Sequence, residues 1–153
     1  MVDLYTSVKN NIDEFIKNNI TDRVEIASLL HPTYANLWRH IGDVASDGKR
    51  IRPYLTVVTY GVLDETIIPV AAAQEYVHIA VLMHDDVIDQ DLKRHGKANI
   101  NGIYDELYSK YHGLDSPKAL HYAYGNGILA GDLLISEAYR SINVSNFSAE
   151  KNN

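Results

Sequence analysis

Apolar residues along this chain recur at helical spacing almost from its start. Between about Leu4 and Ile20, the positions Leu4, Val8, Ile12, Phe15 and Ile16 alternate with Lys, Asn, Asp and Glu, the stripe of an amphipathic helix. Thr21 or Asp22 predicts the cap of a second helix running toward Leu30, with Glu25 three or four residues on. His31-Pro32 ends it, because the residue before a proline avoids helical backbone. A short third helix over Tyr34 to Val44 points Leu37, Trp38 and Ile41 at the core, and Ser46-Asp47-Gly48 reads as a loop. Pro53 suits the first turn of a helix reaching about Val62, where its missing N–H would find no partner anyway. Glu65 or Thr66 opens a long central helix that reaches Asp89 or beyond. It is apolar on nearly every side, as a helix in the middle of a bundle must be.

Lys93 to Asn101 reads as a loop, followed by a polar helical piece around Tyr104 to Tyr111. His112 to Pro117 is a cluster of breakers. The last helix, about Lys118 to Ile142, contains Gly125, Gly127 and Gly131, which weaken a helix but let a neighbour come close. The tail from Ser145 is polar and reads as a frayed end. No alternating strand pattern and no internal repeat stands out. The fold class expected is all-α, a helical bundle forming a single domain over residues 1–153.

Composition narrows the function classes. With 46% apolar and 22% charged residues the chain is an ordinary globular protein. A net charge of −6 offers nucleic acid no electrostatic footprint. The absence of cysteine excludes disulfides and thiolate metal sites and fits an intracellular location. The longest uninterrupted apolar run, Ile79 to Met83, is far short of the roughly 20 residues that cross a bilayer. Met1 to Tyr5 lacks the basic start of a secretion signal. The expectation is a soluble, cytoplasmic protein that is not an integral membrane protein.

Chemistry concentrates in His84-Asp85-Asp86-Val87-Ile88-Asp89-Gln90-Asp91, at the end of the apolar helix. Unpaired carboxylates are costly to desolvate, so acidic residues entering such a helix need a neutralising partner. Asp85 and Asp89 are i,i+4 neighbours and share a face, a spacing that lets two carboxylates hold hard cations such as Mg²⁺. His78 lies two turns earlier, only roughly 20° off the same azimuth. Asp91 reads as a solvated helix end, and His84 as a packed core histidine or a residue packed at a subunit contact. A second unusual segment, Gly48-Lys49-Arg50-Ile51-Arg52-Pro53, places three cations at a helix start, where free N–H groups already favour anions. Arg50 points differently from Lys49 and Arg52 and reads as structural. A third cluster, Lys93-Arg94-His95-Gly96-Lys97, follows the acidic run. A metal-bridged diphosphate would reconcile one acidic cluster with two basic ones.

In their order along the chain, Gly-Lys-Arg-x-Arg-Pro, His78, the Asp-Asp-x-x-Asp run at Asp85 to Asp89, Arg94 and Ala130-Gly131-Asp132-Leu133-Leu134 resemble the trans-isoprenyl diphosphate synthases. The resemblance runs from about Asp47 to Tyr139 and covers the N-terminal half of such an enzyme; the second aspartate-rich run of the family is not in this sequence. It implies that Asp85 and Asp89 hold Mg²⁺ on the diphosphate of an allylic substrate, with Asp86 in support and Arg94 on the same diphosphate. It further implies that Lys49, Arg52 and His78 bind isopentenyl diphosphate. His95 stands where the family has a second arginine, and Asp47 where glycine is common. Ala80, five residues before Asp85, replaces the bulky aromatic that stops elongation early, which implies a product longer than farnesyl. Asp132 is assigned no catalytic role.

The activity so implied is Mg²⁺-dependent prenyl transfer of the polyprenyl or geranylgeranyl type. Half a bundle leaves helix faces uncovered, so a homodimer or a complementary subunit is expected. One alternative is a non-catalytic helical subunit whose partner completes the site. A remote one is a metal-dependent phosphohydrolase using His84-Asp85, for which only His31 and His40 are available as upstream ligands.

Overall fold

The computed structural model describes residues 3–112 and 117–145. Among these, the chain forms α1 (Leu4–Leu30), α2 (Pro32–Ala45), α3 (Ile51–Tyr60), α4 (Ile67–Ile88), a hairpin of β1 (Lys93–Arg94) and β2 (Lys97–Ala98), α5 (Ile100–His112) and α6 (Pro117–Asn143). The all-α expectation holds. Helix α4 is the axis: α3, α1 and α6 pack around it, and α5 closes on α6.

Helix α1 is continuous where two helices were expected. The Thr21 hydroxyl donates back to the Lys17 carbonyl at 2.9 Å, so it is satisfied inside the helix and does not cap a new one. Val8, Ile12, Ile16, Ile20 and Ala27 form its buried stripe. His31 is extended and caps α2, its Nδ1 accepting from the Thr33 N–H at 3.1 Å, and Pro32 takes the first helical position. Helix α2 therefore starts two residues before the expected Tyr34. Gly61, at φ 90°, stops α3 at Tyr60.

Asp64, not Thr66, supplies the side-chain cap of α4, accepting from the N–H groups of Thr66 and Ile67 at 2.9 and 3.0 Å. By length and composition alone α4 could cross a membrane. Here its Ala71, Ala72, Ala73, Tyr76, Ile79, Ala80 and Met83 are buried, the burial of a bundle-core helix.

Two expectations on the segment after α4 are corrected. The loop expected over Lys93 to Asn101 contains a two-residue antiparallel ladder, Lys93 opposite Ala98 and Arg94 opposite Lys97. Its turn residues His95 and Gly96 both have positive φ (51° and 79°), the backbone a two-residue hairpin requires. Helix α5 then begins at Ile100, earlier than expected, because Asn99 Oδ1 accepts the Gly102 N–H at 2.9 Å as a cap. The breaker cluster falls largely in residues 113–116, outside the described residues, as does the tail beyond Ser145.

Despite its three glycines α6 is unbroken, and two of them set its distance from α4. A Cβ on Gly131 would lie 2.2 Å from His84 Nε2, and one on Gly127 would lie 2.7 Å from Val87 Cγ2. Bare backbone at these points lets the acidic end of α4 pack tightly.

Candidate active site

A cleft of about 690 Å³ opens between the start of α3, the second half of α4 and the hairpin. Lys49, Arg52, His78, Asp86, Arg94 and His95 all line it. Residues up to 46 positions apart in sequence thus converge on one cavity. Each arrives by a local rule: the left-handed Arg50 turns the chain into α3, α4 carries His78 and Asp86 two turns apart, and the tight hairpin presents Arg94 and His95.

The charges in this cleft are mostly paired internally. Arg50 is buried, with its guanidinium on Asp13 (2.7 Å), Glu75 (2.9 Å) and the Ala45 carbonyl (2.7 Å). Arg94 donates from Nη2 and Nε to Asp86 Oδ1 at 2.7 and 3.1 Å. Lys97 meets Asp47 at 3.2 Å, so the anion that replaces a glycine has its own counter-ion. Lys49 and Arg52, both exposed, are in no ion pair among the described residues. Two uncommitted cations therefore face a cavity, which is what an incoming anion needs. Burial and the Arg52 charge lower the pKa of His78 from 6.5, so its ring is a neutral hydrogen-bonding group near pH 7.

The neighbouring aspartates differ sharply. Asp86 is 6% exposed and locked onto Arg94, whereas Asp85 is 54% exposed and only grazes Arg94 at 3.4 Å. Asp85 and Asp89 do not line the cleft; both are exposed, and Asp85 meets Arg94, which does line it. Their shared face, one turn apart, is as the spacing predicts, with Asp89 N–H bonding Asp85 O at 2.8 Å. All three carboxylates stand at the negative end of the α4 dipole, which disfavours an unpaired anion by about 0.3–1 kcal/mol; Arg94 answers Asp86, and Asp85 and Asp89 remain open to a cation. Among the described residues no three His, Asp or Glu side chains are grouped as a metal cage. Two exposed carboxylates without a third ligand fit Mg²⁺, which keeps its waters and takes phosphate oxygens.

The same facts remove the phosphohydrolase alternative. His84 turns away from Asp85 to α6, with Nε2 at 3.2 Å from Ile128 O and 3.5 Å from Asp132. His31 caps α2, and His40 sits beside Asp43 and Tyr104.

Sequence reasoning missed Glu75, the anchor role of Asp86, and the buried Asn99 and Asn101. Both asparagine side chains donate to the Asp91 carbonyl, at 2.9 and 3.0 Å, and fix the chain as it leaves the acidic run. The only sequence signal for them was two asparagines flanking Ile100.

Comparison with known proteins decides the lineage, since the family model described as Polyprenyl synthetase matches residues 34–151. The chain belongs to that family. A short chain isoprenyl diphosphate synthase of Methanocaldococcus jannaschii is 42% identical over 98 residues, 62% of this chain and 24% of the relative. The octaprenyl diphosphate synthase of Escherichia coli is 39% identical over 64 residues, 40% of this chain and 20% of the relative. A crystal structure of geranylgeranyl pyrophosphate synthase from Corynebacterium glutamicum, complexed with isoprenyl diphosphate and magnesium, superposes with a TM-score of 0.75 at 22% identity. That match covers 97% of this chain and 44% of the other, so the two share a fold over this length. This polyprenyl synthetase chain thus spans less than half the length of these relatives.

Proposed function

We propose that this chain forms the N-terminal half of a Mg²⁺-dependent trans-prenyltransferase site that condenses isopentenyl diphosphate with an allylic diphosphate. The observation that carries the reading is the cleft in which Lys49 and Arg52 stand uncommitted beside His78, with the exposed pair Asp85 and Asp89 two turns and more further along the same helix as His78. Lys49, Arg52, His78 and His95 hold the diphosphate of isopentenyl diphosphate, with Arg forking onto oxygens and Lys acting as a point charge. Arg94 reaches the allylic diphosphate while Asp86 keeps its guanidinium oriented. Asp85 and Asp89 hold Mg²⁺, which supplies Lewis-acid and electrostatic relief for the departing diphosphate. The allylic C–O bond ionises, the isopentenyl double bond attacks the resulting cation, and a proton is lost. The chain's cations stabilise charge on the leaving group, and the apolar wall of α4 shelters the carbocation from water.

Ala80 is fully buried and adds no bulk beyond its methyl, in keeping with elongation past farnesyl to geranylgeranyl or longer products. The protein works in the cytoplasm as a soluble enzyme, its apolar helix used in the bundle core. Exposed Leu55 and Val58 of α3 and Val77 and Val81 of α4 support an assembly, either a homodimer or a complex with a complementary subunit. They also favour a second reading, in which this chain is a non-catalytic subunit completed by its partner. Calorimetry with isopentenyl diphosphate, then turnover with allylic diphosphate and Mg²⁺, tests both. Binding lost in Lys49→Ala and Arg52→Ala supports the site, turnover by the chain alone removes the subunit reading, and no binding overturns the site.

A further inference from the structure

We infer that helix α1, all of which precedes the region matched by the family model, is a positioning element for the diphosphate cleft. It acts through an Asp13–Arg50–Glu75 triad centred on the buried Arg50, and through a hydrogen bond from Tyr5 to the Lys49 backbone. The inference rests on the diphosphate reading of the cleft and adds the residues that set its charge and shape.

Arg50 is the key. It is 2% exposed, and a charge is costly to bury unless its hydrogen bonds are all met. Three acceptors from three helices meet its donors: Asp13 on α1, the Ala45 carbonyl on α2 and Glu75 on α4. Its backbone is left-handed at φ 53°, a conformation that a non-glycine residue keeps only when its surroundings enforce it. Gly48 leaves room for this: a Cβ there would lie 2.6 Å from Arg50 Nη1. With Arg50 turned inward, its neighbours Lys49 and Arg52 are left facing outward. The Tyr5 hydroxyl donates to the Lys49 carbonyl, and the Tyr5 ring meets Tyr54 edge-on at 5.4 Å, so the segment is held from α1 on both sides.

The triad also sets the electrostatics. Glu75 lines the cleft that an anion must enter, and its oxygen Oε1 is neutralised by Arg50. Asp13 in turn shares Arg50, and this second carboxylate fixes the guanidinium's orientation. Lysine has the charge but not the fork, so it cannot reach all three acceptors at once. Loss of that geometry exposes the Glu75 carboxylate to the ligand. The three groups therefore act on binding without touching the ligand: they are positioning residues.

The test uses inorganic pyrophosphate with Mg²⁺ as the calorimetric probe of the whole chain. Tyr5→Phe removes one hydroxyl and should weaken pyrophosphate binding several-fold, with an unchanged circular dichroism spectrum. Arg50→Lys should weaken it by about tenfold or more, the scale of losing a charge-assisted hydrogen bond. Adding Glu75→Gln to Arg50→Lys should restore much of the loss, because the repelling carboxylate is gone; a purely structural role for Arg50 predicts no such rescue. If the wild-type chain binds pyrophosphate and both Tyr5→Phe and Arg50→Lys bind it equally well, the inference fails and the diphosphate reading stands. Should Arg50→Lys not fold, Tyr5→Phe alone decides. If the wild-type chain does not bind pyrophosphate, both fall together.

Discussion

At the scale of single residues, two adjacent aspartates have different work. Asp85→Ala or Asp89→Ala should abolish Mg²⁺-dependent binding of an allylic diphosphate, and calorimetric affinity unchanged in both variants would refute the metal assignment. Asp86→Asn should leave the Mg²⁺ requirement in place while weakening the diphosphate contact through a loosened Arg94. His78 gives a prediction in pH. Its folded pKa is lowered by burial and by Arg52, so the free site binds no proton there near neutrality. A diphosphate beside the ring raises that pKa, so binding should take up a proton and tighten as pH falls. For the folded state alone the sign is opposite: stability declines as pH drops below 6.5, where the unfolded imidazole gains a proton first. Calorimetry in buffers of differing ionisation enthalpy checks the uptake, which His78→Gln should remove. The acidic run and the basic segments were legible because charge type and spacing are written in the chain. Which of Asp85 and Asp86 is buried was not, because neighbours on a helix differ by about 100° of azimuth and only tertiary packing chooses between them. Arg50 was read as pointing away from its neighbours, but its three partners lie on three other helices and left no local trace.

At the scale of elements, the contact between α4 and α6 is set by absent side chains. Gly131→Ala would drive the His84 ring off the Ile128 carbonyl and should cost about 1–3 kcal/mol, the usual penalty for overpacking. Gly125 has nothing within 4 Å of an added Cβ, so Gly125→Ala should stabilise α6 by up to about 1 kcal/mol. Thermal unfolding of the two variants should therefore move in opposite directions. The buried character of α4 was readable from its apolar pattern, and Pro53 marked the first turn of α3. The split in α1 was misread because Thr and Asp favour caps, yet a threonine mid-helix can satisfy itself on the preceding turn. The hairpin was missed because His95-Gly96 is not one of the Asn-Gly or Asp-Gly pairs that signal a two-residue turn, and no alternating apolar residues flank it.

At the scale of the molecule, the fold is open on the side that bears Asp85. Val77, Val81 and Ile88 on α4 are 45%, 57% and 77% exposed, a large share for a helix otherwise at the core. Apolar surface of this kind favours association. Sedimentation of the purified chain should show dimers or larger species, and Val81→Glu should shift it toward monomer; a compact monomer at high concentration would contradict this. Ala80→Phe in a complete enzyme should shorten the product, which chromatography of the extracted prenyl chains would show.

The hairpin between α4 and α5 leaves evolution and the protein engineer little slack. Its strands are two residues long, and Arg94 pairs directly across from Lys97. Inserting one residue would slip the register and send the guanidinium to the opposite side of the ribbon, away from Asp86. The connection after Gly61, where nothing crowds the backbone, tolerates changes of length far better. Any natural or designed variant that alters the stretch from Asp91 to Asn99 must therefore add or remove residues in a way that keeps that pairing.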